Sequence, residues 1–235
     1  MVMSGRKRMG IKAWFLTVVL LITGLAACVD SSVADKASVQ PADRAAPVLY
    51  KQLDSFVNVR EVAPSIVQDI RYATDNNFTH QKIYDCPACF LRPEVARALA
   101  EVSDDLRRQG LGIKVFDCYR PLSAQRKLWE KYPVPGYVAP PSQGSMHNRG
   151  MAVDVTLFDI AGRRELYMGT PFDYFGPEAH ADYPGLSPRV KANRQILREA
   201  MRRHGFRGIR TEWWHFQYTG PKAPVADVVW KCSAN

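Results

Sequence analysis

No internal repeat runs through these 235 residues, and no low-complexity tract interrupts their globular part. That leaves one domain with a substantial core and little room for a second large one. No apolar run has the length of a comfortable membrane span, and the one at residues 13–25 is too short. Cysteine and histidine are sparse, five of each. The CxxC motif Cys86-Pro87-Ala88-Cys89 has neither a second CxxC nor a thioredoxin-like context around it. Excess charge is small as well. The formal net charge of +9 includes Arg6, Lys7, Arg8 and Lys12, and without those four it is +5, too mild to argue for a nucleic-acid partner. The hydrophobic content of 46% and charged content of 23% are those of an ordinary soluble domain.

What is present begins with the basic residues 6–12, the apolar stretch 13–25 and the box Leu25-Ala26-Ala27-Cys28. This resembles a bacterial lipoprotein signal, in which the chain is cut before the cysteine and the thiol is acylated. The expected organisation is a signal peptide over 1–27, a flexible tether over 28–47 that is small, polar and aperiodic, and a single domain over 48–235. An ordinary secretory signal is the competing reading, and either one exports the protein. Val29 gives no inner-membrane retention signal under Gram-negative sorting rules. The expectation is therefore a lipid anchor on Cys28 in the cell envelope, at the periplasmic face of the outer membrane in a Gram-negative source.

Cys86, Cys89, Cys118 and Cys232 remain. An even number in an oxidising compartment favours disulfides with three possible connectivities, and free thiols or a metal or redox pair stay open.

Within the domain, the β-branched run from Ile66 to Tyr72 predicts a strand. Pro93 opens a helix whose Val95, Leu99, Val102 and Leu106 recur at three- and four-residue steps until Gly110. Residues 111–116 form a short strand that delivers Asp117-Cys118-Tyr119-Arg120-Pro121 to a turn. A helix follows near 123–131, then a Pro- and Gly-rich loop over 133–144. Residues 151–158 alternate as a strand, with Ala152, Asp154 and Thr156 on one face. Ser187-Pro188 starts another helix, which ends at Gly205, and a strand pair closes the pattern at 206–210 and 214–218.

Two stretches carry chemistry. Ser145-Met146-His147-Asn148-Arg149-Gly150 leads into Asp154, seven residues after the histidine, and Gly150 is where the backbone can bend both toward one metal. Glu212-Trp213-Trp214-His215 supplies a second His and a Glu. Two His and one carboxylate leave a fourth position for water on a catalytic zinc, and a further Glu can accept a proton. His147, Asp154 and His215 are thus the candidate ligands, Glu212 the candidate base, and Arg120 the candidate partner for charge developing on a carbonyl oxygen. Neither half of the motif persuades alone.

With Asp69-Ile70-Arg71-Tyr72-Ala73-Thr74, Asn77-Phe78-Thr79, Phe116-Asp117-Cys118-Tyr119-Arg120-Pro121 and Met168-Gly169-Thr170-Pro171-Phe172-Asp173 added to these two stretches, residues 53–218 resemble the zinc D-alanyl-D-alanine dipeptidases of the VanX type. The resemblance implies an α+β fold with an antiparallel central sheet that carries the zinc and is flanked by helices, as in D,D-carboxypeptidases and the hedgehog signalling domain. It implies one Zn2+ per chain on His147, Asp154 and His215, with Glu212 as base and Arg120 as transition-state arginine. It further implies that Asp173 receives the ammonium of a D-Ala-D-Ala dipeptide, with Ser145 near that end and Tyr72 and Tyr84 lining the pocket. Position 118, Gly in the vancomycin-resistance enzymes, is Cys here, and a disulfide from it would brace the turn carrying Arg120. The pairing expected on this footing is Cys89 with Cys118 and Cys86 with Cys232. Two other readings use the same residues: a D,D- or L,D-carboxypeptidase trimming peptidoglycan stem peptides, and a non-catalytic zinc-containing envelope module.

Overall fold

The computed structural model describes residues 48–49 and 55–232. The expected signal peptide (1–27), the acylation site Cys28 and the tether (28–47) lie outside the described residues. In chain order the strands are β1 (Val48–Leu49), β2 (Val57–Asn58), β3 (Val67–Gln68), β4 (Phe90–Leu91), β5 (Leu111–Asp117), β6 (Ala152–Asp159), β7 (Arg164–Glu165), β8 (Phe206–Gly208), β9 (His215–Tyr218) and β10 (Lys231–Cys232). The helices are α1 (Val59–Val62), α2 (Pro93–Arg107), α3 (Leu122–Lys131) and α4 (Pro188–Arg203).

Both long helices follow from their sequences. In α2, Pro93 stands in the first turn with Glu94 beside it, and proline there lacks only an N–H that no helical carbonyl would take. Its stripe of Val95, Leu99, Val102 and Leu106 is fully buried, and each such side chain contributes about 1.5–3 kcal/mol by leaving water. Gly110 then takes φ +75°, the left-handed conformation in which a side chain is disfavoured. In α4 the Ser187 hydroxyl accepts from the Val190 N–H, satisfying one of the orphan donors of the first turn. The two helices pack on each other, α2 against β5 and α4 against β8.

The central six-stranded sheet runs β3-β5-β6-β9-β8, with β7 paired to β6. It is mixed, which corrects the wholly antiparallel expectation: β3 runs parallel to β5. The other pairings in it are antiparallel. The strand expected over 66–72 is also shorter, covering only Val67–Gln68 before residues 71–73 turn as a 3-10 helix. The turn wins because its main-chain groups are satisfied outside a ladder. The Tyr72 carbonyl accepts from the N–H groups of both Ile83 and Tyr84 at 2.8 Å, and the Tyr72 ring is thereby buried beside Tyr84 and Phe172.

Both disulfides have the expected pairing, Cys89 with Cys118 and Cys86 with Cys232. The second anchors a C-terminal strap over 223–232. The Ala226 N–H donates to the Asn148 carbonyl at 2.9 Å, and the Leu122 N–H to the Ala226 carbonyl at 3.2 Å. The Val228 N–H reaches the Tyr119 hydroxyl at 2.8 Å, and the Trp230 indole N–H reaches the Cys86 carbonyl at 3.0 Å.

Candidate metal centre

Asp154 and His215 are direct cross-strand partners on β6 and β9, so both side chains leave the same face of the sheet. His147 arrives from a 3-10 turn, His147–Arg149, and the odd spacing to Asp154 is absorbed at Gly150 with φ +68°. Glycine is required there twice over, since a Cβ would also come within 2.4 Å of the Phe56 ring. The turn places His147 Nε2 3.0 Å from His215 Nδ1 and 3.3 Å from Asp154 Oδ1. His215 Nδ1 lies 3.1 Å from the same oxygen.

These three buried groups converge on one point among the described residues. His147 Nδ1 stands 2.7 Å from the Cys118 carbonyl oxygen. Its proton belongs on that nitrogen, which leaves the Nε2 lone pair for a metal. Burial raises the Asp154 carboxyl, but the charges and hydrogen bonds of His147 and His215 outweigh it and hold the group far below the usual carboxylate range. Two imidazole nitrogens and one carboxylate oxygen, buried and aimed together, fit a divalent cation with nitrogen preference.

Arg120 lies next to this group on the turn after β5, buried. Its Nε and Nη2 donate to Asp117 Oδ2 at 3.0 and 2.7 Å, and Nη1 donates to Gln125 Oε1 at 2.8 Å. Burial works against its charge, but Asp117 outweighs that and keeps the guanidinium protonated. Reciprocal bonds join this turn to the histidine turn. The Arg120 N–H donates to the His147 carbonyl at 3.1 Å, and Asn148 Nδ2 donates to the Arg120 carbonyl at 2.8 Å.

Two more carboxyl groups face the same space. Glu212 Oε2 is 4.0 Å from His215 Nδ1, and burial, then Asp154 and Asp173, push its pKa well above the ordinary carboxylate value. Asp173 adopts φ +61°, and its Oδ1 accepts from the Tyr72 hydroxyl at 3.1 Å. Its Oδ2 is buried without a hydrogen-bond partner. Burial, followed by repulsion from Asp154, raises the Asp173 carboxyl to about 8.

His147, Asp154, His215, Glu212, Arg120, Asp173, Tyr72 and Ser145 all border one cavity of about 300 Å³. Tyr84 does not, which corrects the expectation that it lines the pocket. Its hydroxyl donates to Asp117 Oδ1 at 2.8 Å, behind Arg120, because Asp117 is buried and its second oxygen needs a donor. Ser145 is fixed at its main chain, where its N–H donates to Asn148 Oδ1 at 2.7 Å. Sequence reasoning passed over Asp117, Gln125 and Asn148. Asp117 and Asn148 had a signal, Asp117 three residues before Arg120 and Asn148 next to His147 within the quoted motifs, whereas Gln125 had none.

The D-ala-D-ala dipeptidase family profile matches residues 52–233. A D-alanyl-D-alanine dipeptidase of Escherichia coli is 37% identical over 162 residues, covering 69% of this chain and 83% of its own. Its counterpart in Enterococcus faecalis is 30% identical over 187 residues, covering 70% and 91%. The solved vancomycin-resistance D,D-dipeptidase VanXYg, bound to a D-Ala-D-Ala phosphinate analogue, aligns over 70% of this chain and 66% of its own, at 18% identity and a TM-score of 0.36. The chain belongs to the D-alanyl-D-alanine dipeptidase family and is a metallopeptidase.

Proposed function

We propose that this protein hydrolyses the D-alanyl-D-alanine dipeptide to two D-alanines, with one Zn2+ per chain on His147, Asp154 and His215. When bound there, zinc supplies Lewis acidity that activates water near neutral pH. Glu212, with its raised proton affinity, takes the proton of the attacking water and passes it to the leaving nitrogen as the amide C–N bond breaks. A new C–O bond forms, and one product leaves as a carboxylate, the other as an amine. Arg120, already oriented by Asp117 and Gln125, faces the negative charge that grows on the carbonyl oxygen.

The single observation that carries the substrate assignment is the orphaned Oδ2 of Asp173 in the same cavity as the metal ligands. The cost of leaving that oxygen charged and without a donor is what raises the Asp173 carboxyl to about 8, and a free ammonium beside it pairs the charge and draws the group back to the carboxylate form. A peptide that continues past that point has no ammonium to offer. Tyr72 holds the other oxygen of Asp173 in place, and Ser145, which borders the same cavity, is assigned to this end on the family resemblance.

The reading extends to location: a lipid anchor on Cys28, in the cell envelope, on the periplasmic face of the outer membrane in a Gram-negative source. Two disulfides support export, because they persist in oxidising compartments. An enzyme so anchored acts on D-Ala-D-Ala released in the envelope, for recycling or nutrition, and not on a cytoplasmic precursor pool.

The test is amine release from D-Ala-D-Ala, L-Ala-L-Ala and N-acetyl-D-Ala-D-Ala, with and without a chelator. Chelator-sensitive cleavage of the free D,D-dipeptide alone is expected. Cleavage of the acetylated substrate would make the protein a carboxypeptidase, and no cleavage with zinc bound would make it a non-catalytic module.

A further inference from the structure

A second cavity, of about 470 Å³, lies between α4 and the edge strand β8, and it shares only Ile209 and Glu212 with the first. Its floor is apolar: Phe206, Trp213 and Phe216 are each no more than 5% exposed. Its rim is cationic. Arg194, Arg198 and Arg202 follow one another at four-residue steps along a single stripe of α4, and Arg207 stands across from them on β8.

None of these arginines has a carboxylate within ion-pairing distance among the described residues. Arg198, Arg202 and Arg207 are exposed. Arg194 is buried, and its guanidinium donates only to main-chain carbonyls, those of Met168 at 2.7 Å, His180 at 3.0 Å and Glu178 at 2.9 Å. It also sits over the Trp213 ring, 5.7 Å from the centroid. A buried cation held by neutral acceptors leaves its charge uncompensated beside the cavity. Among the described lining residues the acid is Glu212, which also borders the catalytic cavity.

We propose that this cavity binds a small anionic amphiphile, a molecule with a phosphate or carboxylate head for the arginine rim and an apolar body for the aromatic floor. The size is that of a small-molecule site, and an apolar interior with a few placed charged groups is the usual makeup of one. Guanidinium groups suit such a head because their fork matches two oxygens at once. Because Glu212 belongs to both cavities, the ligand would lie directly behind the wall of the catalytic site.

Titration calorimetry of the full-length chain with dodecyl phosphate, kept below its aggregation threshold, tests the assignment. The exposed set Arg198→Gln, Arg202→Gln and Arg207→Gln should weaken binding at least tenfold. Removing equal charge elsewhere, with Arg60→Gln, Arg97→Gln and Arg107→Gln, should change it less than twofold. Unaltered D-Ala-D-Ala hydrolysis in both sets would show that the fold is kept. Equal losses in both sets, or none in either, would overturn the site. So would inorganic phosphate binding as tightly as dodecyl phosphate, which would make the floor irrelevant, or dodecyl maltoside binding as tightly, which would make the arginines so.

Discussion

Asp173 is held by one oxygen, which accepts from the Tyr72 hydroxyl at 3.1 Å, while its other oxygen is buried with no partner. If the substrate's ammonium completes this pair, Asp173→Ala removes a charge-assisted bond of about 2–3 kcal/mol. The value of kcat/KM for D-Ala-D-Ala should then fall about 30- to 150-fold. Residual hydrolysis of longer peptides should fall far less, and steady-state kinetics on both substrates would show it. Equal losses would sink the ammonium role.

The same carboxyl makes a pH-dependent contribution to stability. Its pKa is raised by burial to about 8, against about 3.9 in an unfolded chain. Between those values the unfolded state releases a proton that the folded state keeps, so stability is full below about pH 4 and is lost as pH rises toward 8. In metal-stripped protein, Asp173→Asn should gain at least about 1 kcal/mol over the parent at pH 7 and nothing at pH 4. Urea unfolding across that range is the measurement, and an advantage that stayed constant with pH would refute the assignment.

Glu212→Gln should retain the metal and lose turnover by about 10²- to 10⁴-fold, the range for a positioned proton acceptor. Metal content by elemental analysis and kcat on the same sample separate the two effects. Unchanged turnover with metal bound would remove Glu212 from the chemistry.

Arg120 and Tyr84 should separate by magnitude. Arg120→Lys keeps the charge but cannot reproduce two bonds to Asp117 and one to Gln125, and a loss of about 10²- to 10³-fold in kcat is expected. Tyr84→Phe deprives Asp117 of one donor, with an expected cost near 1 kcal/mol, or about fivefold in kcat and little in KM. A KM effect as large as the kcat effect would return Tyr84 to the pocket wall.

Cys89 and Cys118 close a loop with a sequence separation of 29, for which chain entropy gives a stabilisation of about 3.5 kcal/mol. The double variant Cys89→Ser, Cys118→Ser should lose stability of this order. It should also bind zinc more weakly, because the Cys118 carbonyl fixes the His147 ring. Loss of stability without loss of zinc affinity would show the carbonyl held by other means.

The parts legible in the sequence are those set by local periodicity. The apolar stripe of α2 and the alternation in β6 depend on residues a few positions apart; the burial of α2 follows from its stripe, whereas β6 is buried on both faces through Leu157. Gly150 was legible as a bend because an odd spacing had to be reconciled with one metal. The turn at 71–73 was not, since what draws it out of the sheet are the N–H groups of Ile83 and Tyr84, more than ten residues on. Gln125 was illegible for a similar reason: only the fold puts an amide in the middle of α3 beside a buried guanidinium. The parallel pairing of β3 likewise leaves no mark in a two-residue strand.

The strap over 223–232 has a consequence for biosynthesis. It is made after every residue it holds: Asn148, Tyr119, Leu122 and, through Cys232, Cys86. A nascent chain that has emerged as far as His215 already contains the whole set of proposed catalytic residues, yet the turns that carry Arg120 and His147 still lack their backing. The backing of both turns therefore arrives only with the last residues of the domain and with closure of the Cys86–Cys232 bond.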